Sequence, residues 1–169
     1  MCYNHDRKDV IYLRVIENYI PVGANNPDRP IKPDMIVIHY SGGACVSAET
    51  LARCLVNNNA NDVSANYCVD DKDIICTIPP GYMSYGVTGH NGHIINIETC
   101  YKDPAGRFEL DTIANLRRVV KKCMRDFGIP PENVVRHYDL TGKKCPWYYV
   151  DEPKEWARLH RMITKGVVL

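Results

Sequence analysis

The chain has 169 residues, the size of one domain with a single hydrophobic core. Lysine and arginine number 21 against 20 acidic residues, and this net charge of +1 excludes the strongly basic surface typical of nucleic-acid-binding proteins. The apolar runs are far shorter than the roughly 20 residues of a membrane span, and residues 1–8 have no apolar signal core. We therefore expect synthesis in the cytoplasm, without membrane insertion.

The N-terminal part, residues 1–30, is predicted to pack as a segment on a domain that spans residues 31–165. Residues 9–20 are rich in β-branched and aromatic side chains, which predicts an extended or partly helical segment that covers the sheet. The loop 24–33 contains three prolines and leads into an apolar strand over residues 35–39.

Strands and helices alternate through the rest of the sequence. After the first strand, the predicted elements are a helix over 48–57 capped by Ser47, a strand pair over 66–70 and 74–78, a strand over 94–100, a helix from Asp111 to Phe127, and a last helix from Glu152 or Pro153 to Ile163. Interleaved strands and helices predict an α/β fold, with one central mixed β-sheet flanked by helices.

Eight cysteines are scattered singly along the chain rather than grouped as a disulfide framework. Four of them are predicted to pack as free thiols on helix faces or in strands: Cys54, Cys68, Cys76 and Cys123. Cys145 differs because it lies in a polar loop beside Pro146, where a thiol without a function is an oxidation liability.

A candidate metal site follows from this loop. His137 precedes Cys145 by eight residues, and Thr141-Gly142 allow the backbone to fold back so that both side chains meet. His39, at the end of the first apolar strand, is the best candidate for a third ligand. Imidazole and thiolate are preferred ligands of Zn²⁺, and three protein ligands with an open fourth position describe a catalytic site. The alternative is a pair of hydrogen-bonded histidines and a small buried thiol.

Four segments occur in the order seen in one enzyme family. They are Ile36-Val-Ile-His39 with Ser41-Gly-Gly43, Val63-Ser-Ala-Asn-Tyr-Cys-Val-Asp70, Ile94-Ile-Asn-Ile-Glu98, and Val135-Arg-His-Tyr-Asp-Leu-Thr-Gly-Lys-Lys-Cys-Pro146. From residue 31 to residue 163 the chain resembles the zinc-dependent type 2 N-acetylmuramoyl-L-alanine amidases, which include phage endolysins, bacterial autolysins and, more remotely, animal peptidoglycan recognition proteins. The resemblance implies a hydrolase that uses Zn²⁺ to cleave the amide between N-acetylmuramic acid and L-alanine in bacterial peptidoglycan.

The resemblance also implies two catalytic residues. Glu98 ends an apolar strand, where a carboxylate is costly unless it serves a site, and it holds the position of the general base in one branch of the family. Lys143 lies two residues before Cys145, where related amidases carry a lysine that stabilises the oxyanion. Its neighbour Lys144 is interpreted as a solvated surface charge.

Another branch of the family uses a catalytic tyrosine. That tyrosine lies in a Gly-Tyr-His/Asn-Phe motif, and alignment of the motif with residues 64–70 places Ala65 rather than Tyr67 at the tyrosine position, so Tyr67 is predicted to pack in the core. The substrate contacts depart from the family pattern, because Met83-Ser-Tyr-Gly-Val87 lacks the usual Trp-His pair. Substrate contacts are assigned to Asn66, Tyr85, His90 and Asn91. His90 and His93 also suggest a second metal site, but a solvated glycine-rich loop beside the cleft is the favoured interpretation.

Three functions are weighed. The leading one is the amidase; the others are a non-catalytic peptidoglycan-binding module of the same fold, and a small protein whose Zn²⁺ is structural and takes its fourth ligand from another cysteine. Related endolysins commonly continue into a cell-wall-binding module, which we expect to be missing from this chain. The protein is expected to reach the cell wall after release from the cytoplasm.

Overall fold

The computed structural model describes residues 15–44, 46–57 and 63–166. The strands are β1 Ile16–Glu17, β2 Met35–Tyr40, β3 Tyr67–Val69, β4 Ile74–Cys76, β5 Ile94–Thr99 and β6 Val134–Arg136. The helices are α1 Ala48–Asn57, α2 Leu110–Phe127, α3 His137–Thr141, α4 Trp147–Asp151 and α5 Pro153–Thr164, with a short 3-10 helix at Pro131–Asn133. The predicted single α/β domain with a mixed sheet is confirmed.

The six strands form one sheet in the order β1-β4-β3-β5-β2-β6. Only β3 and β4 pair antiparallel, and the other neighbours are parallel. Because side chains alternate along a strand, Ile36 and Ile38 of β2 share one face with Ile95 and Ile97 of β5. This face carries the main core, which α2 and α5 cover.

Helix α2 forms because its apolar side chains recur at helical spacing and are buried, from Ile113 through Leu116 and Val120 to Cys123. Gly128 ends it with φ of 68° and donates its backbone N–H to the carbonyl of Met124. A left-handed residue at this position favours glycine, which explains the stop.

On the opposite face of the sheet, a helix covers two strands, and a loop beside the cleft covers two others. Helix α1 covers β3 and β4 through Ala48, Ala52 and Leu55, and its first turn is capped by Ser47 Oγ, which accepts from the Thr50 N–H at 3.1 Å. Over β2 and β5 this face is covered instead by the loop 79–93, which Val87 anchors on Val37 and Ile94.

Several local predictions are corrected by the structure. Residues 15–20 include the extended strand β1, which pairs with β4 at the edge of the sheet rather than lying over a face, and Ile20, which packs with α1 in the core; residues 9–14 lie outside the described part. The segment expected to be a loop from His137 begins with helix α3. Cys54 is exposed, whereas Cys68, Cys76 and Cys123 are buried as expected. Within the described residues, no helix is long and apolar enough to cross a membrane.

Candidate metal centre and catalytic cleft

Three neighbouring strands end at the candidate site. β2 pairs with β5 in a register that places His39 beside Glu98, and with β6 in a register that places Ile38 beside Arg136. The residue after Arg136 is His137, so it lies next to His39. The carboxyl ends of parallel strands are where α/β sheets hold their ligands. The site is therefore built at the ends of three hydrogen-bonded strands.

Helix α3 and the turn after it bring Cys145 back to the histidines. Asp139 accepts from the Arg136 N–H at 2.8 Å, which fixes the start of the helix at His137. Gly142, with φ of 75°, ends the helix, and the Tyr138 N–H donates to the carbonyl of Cys145 at 3.0 Å. These bonds fold the chain into the compact turn expected from Thr141-Gly142.

The three side chains present their ligand atoms to a common point. His39 Nδ1 lies 3.1 Å from His137 Nδ1 and 3.8 Å from Cys145 Sγ, and the ligand atoms of all three residues lie within 4.8 Å of one another. Tetrahedral zinc with ordinary bond lengths separates two nitrogens by about 3.3 Å, and a nitrogen from a sulfur by about 3.6 Å. The donor set and its spacing therefore fit a zinc ion, and within the described residues no other group of this kind occurs.

Burial favours the metal-binding form of His39 and His137 and disfavours that of Cys145. Desolvation lowers the pKa of His39 to about 3, aided by His137, and lowers the pKa of His137 to about 4, aided by the charge of Lys143. Both imidazoles are thus neutral, as ligands must be. Desolvation raises the pKa of the Cys145 thiol to about 12. Because cysteine binds a metal ion as the thiolate, metal binding must release that proton.

Glu98 is the register partner of His39 and lines the same cleft as the candidate metal ligands. Burial raises its pKa to about 8, and the nearby charge of Lys143 partly opposes this shift. A carboxyl group poised near neutral pH can both accept and return a proton. Tyr67 lies on the opposite face of the sheet and is 3% exposed in the main core, as its predicted packing role requires.

The two neighbouring lysines have different surroundings. Lys143 lines the cleft, and its charge lowers the pKa of Glu98 and of both histidines. Lys144 forms an ion pair with Asp151 at 2.8 Å and does not line the cleft. This contrast matches the distinction drawn between them from the sequence.

The cleft has a volume of about 470 Å³, enough for part of a polymeric substrate. Tyr85 and Asn91 line it, although Asn91 Oδ1 also accepts from the backbone of Gly86 and Val87. His90 does not line the cleft. His93 Nδ1 lies at hydrogen-bond distance from Asp34 Oδ1, 2.7 Å away, and no His90–His93 metal group occurs among the described residues.

The assignment of Asn66 to substrate contact is corrected. Its side chain is fully buried, and its amide nitrogen lies within hydrogen-bond distance of three backbone carbonyl oxygens of residues 78–82. Sequence reasoning also missed Tyr40 and Thr141, which line the cleft, and Asn96, whose Oδ1 lies 2.9 Å from His39 Nε2. Asn96 had a signal: it is a polar residue in the apolar strand β5, two positions before Glu98 and on the same face.

Comparison with known proteins identifies the family of this chain. Residues 28–148 match the family described as N-acetylmuramoyl-L-alanine amidase, and the chain belongs to this type 2 amidase family. It is 31% identical to the N-acetylmuramoyl-L-alanine amidase XlyA of Bacillus subtilis (strain 168) over 145 residues, which is 82% of this chain and 48% of XlyA. It is 33% identical to the N-acetylmuramoyl-L-alanine amidase CwlA of a Bacillus species over 109 residues, 61% of this chain and 43% of CwlA.

Solved structures show the same fold. The structure of PlyL superposes with a TM-score of 0.81 at 28% identity, covering 92% of this chain and 99% of PlyL. The catalytic domain of XlyA superposes with a TM-score of 0.78 at 26% identity, covering 89% of this chain and 99% of that domain. The chain spans about half the length of the curated relatives it matches but nearly all of these two structures.

Proposed function

We propose that this chain is a zinc-dependent peptidoglycan hydrolase that cleaves the amide between N-acetylmuramic acid and the L-alanine of the stem peptide. The observation that carries the proposal is the cleft in which Glu98 and Lys143 lie beside the group His39, His137 and Cys145. We assign the catalytic domain to residues 31–165 and its place of action to the cell wall. The named amidases that the chain resembles support this substrate.

Each polar side chain of the cleft has a role in hydrolysis of an amide. His39, His137 and Cys145 would hold the zinc ion, which would supply Lewis acidity and lower the pKa of water. Glu98 takes the proton of the attacking water and returns it to the departing amine of L-alanine. The ammonium group of Lys143 shares the negative charge that develops on the carbonyl oxygen.

The two other functions have less support. A peptidoglycan-binding module has no need for a carboxylate with a raised pKa beside a complete ligand set, and both are present here. A structural Zn²⁺ needs a fourth protein ligand, and none joins the group among the described residues; Cys2 and Cys45 lie outside them. An open fourth position is what catalysis requires.

Digestion of purified peptidoglycan followed by mass analysis tests the proposal. We expect stem peptides with free L-alanine amino groups and intact glycan strands. New reducing sugar ends would indicate a glycosidase, and binding without any cleavage product would indicate the binding module. The Glu98→Gln variant is the matched control for contaminating hydrolases, because it keeps the fold and loses the proton acceptor.

A further inference from the structure

Three buried polar side chains form a hydrogen-bonded row that ends at His39, on the side of the ring that faces away from the candidate metal centre. His39 Nε2 lies 2.9 Å from Asn96 Oδ1, Asn96 Nδ2 lies 2.9 Å from Ser84 Oγ, and Ser84 Oγ lies 2.8 Å from Asn66 Oδ1. We call Asn96, Ser84 and Asn66 the buried relay. Each of the three is 0% exposed, so water does not compete for these bonds.

The side-chain orientation of Asn66 determines which atoms of the buried relay donate and which accept. Asn66 Nδ2 lies 3.3, 3.2 and 3.1 Å from the backbone carbonyl oxygens of Ile78, Pro79 and Tyr82. Carbonyl oxygens only accept hydrogen bonds, so the amide nitrogen of Asn66 must face them. Its Oδ1 therefore faces Ser84.

The orientation of Asn66 in turn fixes the hydrogen-bond roles of Ser84, Asn96 and His39. Because Asn66 Oδ1 is an acceptor, the Ser84 hydroxyl must donate to it, and its oxygen is then left to accept from Asn96 Nδ2. Asn96 Oδ1 consequently faces His39 and accepts from Nε2–H. With the proton on Nε2, the lone pair of His39 lies on Nδ1, the atom directed at His137 and Cys145.

Gly86 holds the Asn96 amide from the cleft side. A Cβ atom at position 86 would lie 2.3 Å from both Cγ and Oδ1 of Asn96, which is closer than real contacts allow. Only glycine therefore permits this approach. The backbone at Gly86 and the relay together leave the Asn96 amide little freedom to rotate away from His39.

We propose that Asn96 is a positioning residue for the metal centre, which acts through the buried relay to fix His39 in the tautomer whose Nδ1 binds the metal. The proposal rests on the zinc site of the proposed function. It assigns Asn66 and Ser84 to the support of a metal ligand rather than to substrate contact. Because the carbonyl groups of residues 78–82 orient Asn66, the backbone of that loop also affects metal affinity. Partners of this kind orient metal-binding histidines and raise their basicity.

Zinc affinity tests the proposal independently of hydrolysis. Competition with a chromophoric chelator should show a roughly 10- to 100-fold loss of Zn²⁺ affinity in Asn96→Ala, the usual effect of removing such a partner. Asn96→Asp keeps an acceptor for Nε2–H and should bind Zn²⁺ more tightly than Asn96→Ala does. Ser84→Ala removes only the orienting bond and should lose less than Asn96→Ala.

Asn115→Ala is the matched control for a general loss of stability. Asn115 is a buried amide of α2 that donates to the carbonyl of Asp70 at 2.9 Å, away from the metal centre. It should lower the free energy of unfolding but leave Zn²⁺ affinity unchanged. An equal loss in Asn115→Ala and Asn96→Ala would overturn the positioning role, as would an unchanged affinity in folded Asn96→Ala.

The tautomer itself is measurable in the wild-type protein without metal. Long-range ¹H–¹⁵N correlation spectra should show His39 protonated on Nε2, and protonation on Nδ1 would overturn the proposal even if the Asn96 variants do not fold. A wild-type protein that binds no Zn²⁺ would instead overturn the proposed function. Equal binding by wild-type protein and Asn96→Ala would overturn only the present inference.

Discussion

His39 and Glu98 are register partners on the adjacent parallel strands β2 and β5. Side chains at paired positions point to the same face of the sheet, so the candidate metal ligand and the candidate general base lie side by side where both strands end. His137 follows the last residue of β6 and lies on the other side of His39. The relative positions of these three groups thus depend on backbone hydrogen bonds of the sheet.

The first prediction concerns the general base. Glu98→Gln keeps the size of the side chain but cannot accept a proton, so turnover should fall by roughly 10² to 10⁴, the usual contribution of general base catalysis. Zinc content and far-UV circular dichroism should be unchanged. Tyr67→Phe, in the core on the other face, is the control and should retain most activity. An active Glu98→Gln protein would mean that the general base is another residue.

A second prediction distinguishes the neighbouring lysines. Lys143→Met should lower turnover by roughly 10²- to 10³-fold, because it removes one charge that stabilises the oxyanion. Lys144→Met removes only an exposed ion pair with Asp151 and should leave turnover within about twofold of wild type. Steady-state kinetics on both variants provides the measurement, and equal effects of the two substitutions would remove the assignment of Lys143.

The raised pKa of Glu98 predicts a pH dependence of stability in the metal-free protein. Its pKa is about 8 in the folded state against an ordinary value of 4.5, so the stability contributed by the protonated carboxyl is present below about pH 4.5 and is lost as the pH rises through about 8. Glu98→Gln cannot ionise. Its free energy of unfolding relative to wild type should therefore increase from about pH 5 to about pH 8 in urea titrations. A difference that does not vary with pH would contradict the burial of Glu98.

A fourth prediction concerns the thiolate ligand. Cys145→Ser replaces a thiolate by a neutral hydroxyl, so Zn²⁺ affinity should fall by more than the roughly 10- to 100-fold typical of residues that only support a ligand. Cys123→Ser is the control, since that thiol is buried in the main core, and it should leave Zn²⁺ affinity unchanged. Chelator competition on both variants provides the comparison. Unchanged affinity in Cys145→Ser would mean that the thiolate is not a ligand.

Much of the fold could be predicted from the sequence because its longer elements carry strong local signals. Helix α1 has the predicted bounds, and α2 begins one residue before the predicted start and ends at Phe127 as predicted. Strand β6 and helix α3 were missed because each is short. Strand β6 is stabilised by its pairing with β2, and helix α3 by the hydrogen bond from the Tyr138 N–H to the carbonyl of Cys145. Cys54 was misplaced because helical periodicity alone does not show where the buried face of a helix ends.

The candidate site was predictable where a residue type limits the chemistry. Histidine and cysteine near glycine indicate a metal, and a glutamate that ends an apolar strand indicates a functional carboxylate. The surroundings were less predictable because a buried amide has the same sequence signature whether it contacts substrate or supports a ligand. Asn66 was therefore assigned to substrate, although its three carbonyl partners lie 12 to 16 residues away along the chain.

Removal and return of the metal is the measurement that tests the central claim most directly. Protein treated with a chelator should lose peptidoglycan hydrolysis and should regain it in proportion to added Zn²⁺, up to one ion per chain. Its far-UV circular dichroism should change little, because the sheet and its two helical layers do not depend on the ion. Full hydrolysis by protein shown to be free of metal would contradict the assignment of His39, His137 and Cys145 as a catalytic zinc site.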